Sequence, residues 1–287
     1  MQELVGNDVR PSGVSHGFFD YDGTLVIHDT MLIPGHEAFV GSLDMSVITG
    51  QHPATFLPTL KKVPVLDRSI RMLGFNNGGV VFDRQTQEVI HNARFEEGML
   101  ERALGAIAEC GTFNAITFTP EPTAGEPIAT TMALYCQSEE AFAHYSRKYA
   151  DGQADIQMID GNNWLDHALA SRPAMVWLHG RQASEISEQA FAGLPYHAYE
   201  NGVHFMPSNS NKGTGMEVIA DYLGIDLRTA VAAGNGDNDG PMLEHAGLGE
   251  GRSFFVGTDP VGDRLSSRVV RLPNQSDLGS HILGLMR

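Results

Sequence analysis

The chain has 287 residues, 42% hydrophobic and 19% charged, a composition that excludes disorder and allows about two domains. Against 35 Asp and Glu stand 19 Lys and Arg, and the net charge of −16 argues against nucleic acid or an anionic membrane as partner, though not against a small anion. The cysteines, Cys110 and Cys136, are too few for a disulfide scaffold or a four-thiolate zinc site and read as two buried thiols in a reducing compartment.

Residues 1–15 lack a basic stretch followed by an apolar run, and no window approaches the length of a membrane span, so a cytoplasmic location is expected. Strand-like apolar runs follow at 17–20, 45–48, 116–118, 128–135, 175–178, 231–233 and 254–256. Amphipathic helical stretches fall at 96–109, 139–149, 184–192, 212–223 and 238–245. This alternation predicts an α/β fold with a parallel sheet. Residues 78–89 differ: Val80-Val81-Phe82 and Glu88-Val89-Ile90 flank the polar run 83–87, which predicts a hairpin. The stretch from about 90 to 200 has its own strands and helices and reads as an inserted second domain, with the chain rejoining the first near Asn201.

The first strand runs into Phe19-Asp20-Tyr21-Asp22-Gly23-Thr24-Leu25. Two carboxylates at the carboxyl end of a buried strand lie where an open α/β sheet places its active site. Gly23 and Thr24 allow a tight turn that presents backbone N–H groups to an anion. A second strand ends in Val47-Ile48-Thr49-Gly50. Lys212 opens a predicted helix, where a lysine makes sense beside a bound anion. A later strand enters the acidic loop Gly234-Asn235-Gly236-Asp237-Asn238-Asp239, followed by Met242-Leu243.

In order and spacing these motifs resemble those of the haloacid dehalogenase superfamily. The Lys212-Gly213-Thr214 helix start and Asn77-Gly78-Gly79-Val80 resemble its Cof-type, subclass IIB branch. The resemblance implies a Rossmann-like α/β core at 1–88 and 200–287, with a C2-type α+β cap at 89–199. It implies a Mg²⁺-dependent phosphatase acting on a small phosphorylated metabolite such as a sugar or polyol phosphate, as a monomer or homodimer. Asp20 would be the nucleophile and Asp22 the general acid and base. Thr49, Gly23, Gly50 and Asn238 would meet the phosphate, and Lys212 would neutralise charge on it. Asp20, the Asp22 carbonyl, Asn235 and Asp239 would hold the Mg²⁺. Two alternatives are a phosphomutase of the phosphomannomutase type and a catalytically impaired relative that binds a phosphorylated ligand.

The chain departs from the family pattern twice. Asn235 stands where the acidic loop usually places an aspartate, which predicts weaker metal affinity, with Asp239 and Asp237 in part compensating. Gln51 stands where the branch often has arginine, which removes a phosphate contact. The Asn235-Gly236 pair is also prone to deamidation, which would restore a carboxylate. Other patterns lack their context. Gly13-Val14-Ser15-His16-Gly17 precedes a strand rather than following one. Asn235–Gly240 lacks the closing glutamate of a calcium loop, and His36-Glu37 lacks the second histidine of a zinc-protease helix. His179 reads as a satisfied strand-end residue, and Trp164 and Trp177 as core of the inserted domain.

Overall fold

The computed structural model describes residues 13–287 except 29, 110–112, 121–124, 126, 129–130, 151–154, 160, 162, 181–192 and 200–201. Cys110 and the helix expected at 184–192 lie outside the described residues.

The chain begins with β1 (His16–Phe19), a small flap of β2 (Val26–Ile27) and β3 (Met31–Leu32), and β4 (Asp44–Ile48). Helices α1 (Pro53–Lys61) and α2 (Pro64–Ser69) lead to β5 (Ile70–Phe75) and the hairpin β6 (Val80–Asp83) and β7 (Glu88–Asn92). The second unit comprises α3 (Met99–Glu109), β8 (Ala115–Phe118), β9 (Thr131–Cys136), α4 (Glu139–Ala150), β10 (Asp155–Met158), α5 (Trp164–Ser171), β11 (Val176–His179), β12 (Tyr196–Tyr199) and β13 (Gly202–Phe205). The chain closes with α6 (Lys212–Leu223), β14 (Ala230–Gly234), α7 (Gly240–Leu243), β15 (Ser253–Val256), β16 (Val269–Leu272) and α8 (Asp277–Met286).

Eight strands form the core sheet in the order β16-β15-β14-β1-β4-β5-β6-β7. The first six run parallel, and β6 and β7 add the expected hairpin antiparallel at the edge. Both faces of this sheet are covered, so its strands read as continuous apolar runs. Alternate residues serve opposite faces. Phe19, Val47 and Leu73 join the cluster that takes in Phe56, Leu60, Leu278 and Ile282 of α1 and α8. Phe18, Ile48 and Met72 join the cluster with Met216, Ile219 and Met242 of α6 and α7.

Six strands form the second sheet in the order β10-β9-β8-β11-β13-β12. Sheet membership corrects both expected edges of the insert. The core sheet keeps the chain to Asn92, and the second sheet keeps it to Phe205, past the expected return near Asn201. The strand read at 128–135 starts at Thr131, and the helix read at 238–245 divides into a 3-10 turn and α7. Trp164 packs at the edge of the second unit's core, whereas Trp177 lines a cavity. Cys136 is a half-buried free thiol. No helix among the described residues is long and apolar enough to cross a membrane.

Candidate active site

The parallel register brings the carboxyl ends of β1, β4 and β14 side by side. Asp20 follows β1 directly, its N–H tied to the Ala233 carbonyl at 2.9 Å, and is buried at 7% exposure. The next turn closes when Leu25 and Val26 donate to the Tyr21 carbonyl at 2.9 and 3.1 Å. Gly23 makes this turn with φ +77°, a conformation that favours glycine. Its N–H donates to the Val26 carbonyl at 2.8 Å, so Gly23 supports the turn and does not offer the expected anion donor.

Thr49 ends β4 and is buried; its hydroxyl accepts from the Gln51 N–H at 3.2 Å. The Gln51 side chain crosses to the other motif and donates to Asp22 Oδ2 at 2.7 Å. Asn77, in the turn after β5, accepts from Asn238 Nδ2 at 2.8 Å and so ties that turn to the acidic loop. A Cβ on Gly50 would come within 3.1 Å of Asn77 Oδ1 and 3.4 Å of the Tyr199 hydroxyl, so the two sheets meet at this point.

Lys212 is the first residue of α6, where Asn211 caps the helix by accepting from the Thr214 N–H at 3.0 Å. Its side chain is buried between two carboxylates. It donates to Asp20 Oδ1 and, at 2.6 Å, to Asp239 Oδ1. Burial works against its charge, but the two carboxylates prevail and hold its pKa above the ordinary lysine value. Burial, opposed by Lys212 and reinforced by Asp239 and Asp22, pushes Asp20 up to about 7. Three carboxylates around one ammonium leave the site short of positive charge.

The second oxygen of Asp239 accepts the N–H groups of Asn235 and Gly236, both at 2.8 Å. Asp239 therefore holds Lys212 and the loop, and Asp237 pairs with Arg264 at 3.0 Å on the exposed surface. This corrects the expectation that these two carboxylates make up for Asn235.

One terminal atom of the Asn235 carboxamide lies 3.0 Å from Asp20 Oδ2, 2.9 Å from the Asp22 carbonyl oxygen and 3.0 Å from Thr24 Oγ1. With nitrogen inward, the two N–H groups of the amide are shared among these three oxygens. With oxygen inward, three oxygens converge and need a cation. Octahedral Mg²⁺ at about 2.0–2.1 Å from its ligands sets neighbouring oxygens about 2.9 Å apart, which matches the 3.0 and 2.9 Å from the Asn235 atom to Asp20 Oδ2 and the Asp22 carbonyl oxygen. The donors are all oxygen, which suits Mg²⁺ rather than zinc. Among the described residues no cluster of three His, Cys, Asp or Glu offers a different metal centre.

Asp20, Asp22, Thr49, Gly50, Gln51, Asn235 and Asn238 line one cavity of about 460 Å³, roofed by Lys148, Trp177, Tyr199 and His204. Sequence reasoning gave Lys148, Tyr199, His204 and Asn77 no role, read Trp177 as core of the inserted domain, and read Thr24 only as part of the turn. The roof carries no motif, and the alternation of polar and apolar residues along β11 and β13 spans only four residues in each strand.

A family model described as haloacid dehalogenase-like hydrolase matches residues 18–250. A putative phosphatase of Streptococcus pyogenes serotype M6 is 25% identical over 240 residues, covering 78% of this chain and 82% of that one. A solved structure described as an HAD subclass IIB sugar phosphatase superposes with TM-score 0.70 at 18% identity, covering 94% of this chain and 99% of that one. A putative HAD/COF-like hydrolase from Plasmodium vivax superposes with TM-score 0.74 at 16% identity, covering 96% and 98%.

Proposed function

The chain belongs to the haloacid dehalogenase-like hydrolases of the Cof type and is a phosphoric monoester hydrolase; on that premise we propose that it cleaves a small phosphorylated metabolite, such as a sugar or polyol phosphate, through an aspartyl-phosphate on Asp20. The observation that carries this reading is the placement of Asp20 at a strand end, in contact with Lys212 and beside Asp22, on the floor of one cavity.

The Asp20 carboxylate attacks phosphorus, and the bond from phosphorus to the ester oxygen breaks. Asp22 gives its proton to the departing alcohol and then takes one from water. That water attacks the aspartyl-phosphate, the bond to the Asp20 oxygen breaks, and inorganic phosphate leaves. Gln51 holds the Asp22 carboxyl through its 2.7 Å hydrogen bond. Lys212 keeps Asp20 oriented and offsets charge as the phosphoryl group transfers. The Thr49 hydroxyl and the backbone at Gly50 face the same space, and Asn238 is aligned there by Asn77. A Mg²⁺ held by Asp20, the Asp22 carbonyl and Asn235 would supply the charge that lets a carboxylate approach a phosphate dianion.

The test is phosphate release from a panel of sugar and polyol phosphates, with Mg²⁺ and with EDTA, for the wild type and Asp20→Asn. Metal-dependent release that Asp20→Asn abolishes supports the reading. Release that survives this substitution refutes the role of Asp20, and an isomeric phosphate without free phosphate points to a mutase.

A further inference from the structure

The roof of the cavity follows from strand alternation. Val176 and Leu178 of β11 and Val203 and Phe205 of β13 enter the second unit's core, so Trp177, His179 and His204 face the other way. Register sets Trp177 beside His204. Helix α4 covers the β8–β10 end of this face, where Tyr145 and Tyr149 pack with Met132 and Leu134. The remaining end lies over Asp20. There the ring centroids of Trp177 and His204 are 4.2 Å apart, and those of Tyr199 and His204 4.3 Å.

This aromatic patch is not satisfied by the protein. Trp177 Nε1 and both ring nitrogens of His204 are buried with no hydrogen-bond partner. A buried group of this kind is destabilising if nothing meets it. The neighbouring His179 is tied at 2.9 Å to both Thr117 and Tyr149. Burial, helped by His52, His179 and His197, keeps His204 neutral, so it presents one donor and one acceptor. Beside the patch, the Lys148 ammonium of α4 lies 5.7 Å from the Trp177 ring centroid. Among the described residues Lys148 makes no ion pair, and the roof adds no carboxylate to the cavity, whose carboxylates Asp20 and Asp22 lie on the floor.

Building on the phosphatase reading, we propose that the leaving alcohol carries a second anionic group, a carboxylate or a second phosphate, met by Lys148, and oxygens that hydrogen-bond to Trp177 and His204. An amine in this place would face a lysine with no carboxylate to hold it. A wholly apolar group would leave the Trp177 and His204 nitrogens unpaired. A cavity of about 460 Å³ admits a small metabolite of this kind.

The experiment compares esters that differ by one anionic group: an aldohexose monophosphate with the matching aldonate phosphate, a ketohexose monophosphate with its bisphosphate, and glycerol phosphate with phosphoglycerate. The carboxylate and bisphosphate pairs separate the two sources of charge, and p-nitrophenyl phosphate reports phosphatase activity as such. The expected result is kcat/KM at least about tenfold higher for the anionic member of one class of pair. That ratio collapses in Lys148→Met and persists in Lys148→Arg. Equal kcat/KM within every pair, or a ratio unmoved in Lys148→Met, overturns the inference while cleavage of p-nitrophenyl phosphate leaves the phosphatase reading standing. No phosphate from any ester overturns both.

Discussion

The Asn235 carboxamide approaches the Asp20 carboxylate to 3.0 Å, where its nitrogen can hydrogen-bond the Asp20 and Asp22 oxygens that would otherwise share a cation. The metal-free site is then satisfied by hydrogen bonds, and a metal must turn the amide over and win a neutral ligand. An aspartate here cannot donate and adds a like charge beside Asp20. Asn235→Asp is expected to bind Mn²⁺ or Mg²⁺ at least about tenfold more tightly, or about 1.4 kcal/mol. It should also melt lower than the wild type in EDTA and gain more from added metal. Calorimetry and thermal melts read both effects without turnover, and equal affinities for the two proteins would count against this account of Asn235.

Gln51 does not only remove an arginine. Its amide holds Asp22 Oδ2 at 2.7 Å, which positions the group proposed to protonate the leaving oxygen. Gln51→Ala should therefore lower kcat by about tenfold on alkyl phosphates, with little change in KM. Loss on p-nitrophenyl phosphate, whose leaving group needs little protonation, should stay under about threefold. Equal losses on both substrates would show that Gln51 does not act through Asp22.

Much of the core and its floor was legible because its residues are tied to short local patterns. Asp20 and Asp22 sit on one strand end, Lys212 on one helix start, β14 is an unbroken apolar run, and β1 and β15 are apolar after their first residue. What was not legible depends on contacts between distant segments. Asp239 looked like a ligand from its place in the loop, yet its oxygens go to Lys212 and to two amides. β5 was missed because Arg71 and Gly74 interrupt its apolar run, and its pairing with β4 decides its state. β13, with His204 between Val203 and Phe205, is too short to show a period, and only register with β11 reveals which way the histidine faces.

The Asn235-Gly236 pair is protected in the folded protein. Deamidation requires the Gly236 nitrogen to attack the Asn235 side-chain carbon, and that N–H is held by Asp239 Oδ2 at 2.8 Å. Peptide mapping of native protein stored at neutral pH should find no aspartate at 235, while the chain unfolded in urea accumulates it there. Peptide mapping that finds aspartate at 235 in native protein, at the rate seen in urea, would refute this protection.

His16 gives the fold a pH dependence remote from the catalytic floor. It is buried at the start of β1, its ring tilted at 52° to that of Phe18 with centroids 4.8 Å apart, and hydrogen-bonded to Ser46 Oγ at 2.8 Å. Burial dominates its titration; Asp44 raises the pKa and Arg71 lowers it, and the net result is about 4 against an ordinary 6.5. Between these values the unfolded chain takes up a proton that the folded chain refuses. Stability from this group is therefore fully present above about pH 6.5, falls as the pH drops, and levels off below about pH 4, a loss of about 3 kcal/mol. His16→Asn removes the titration while an amide can still reach Ser46. The variant is expected to be less stable than the wild type at pH 8, because it loses the contact with Phe18. The gap should then narrow by about 3 kcal/mol as the pH falls from 7 to 4, because other buried histidines such as His52 titrate alike in both proteins. Urea melts across this range measure the gap directly. A gap that stays constant with pH would show that His16 is protonated as readily in the folded chain as in the unfolded one.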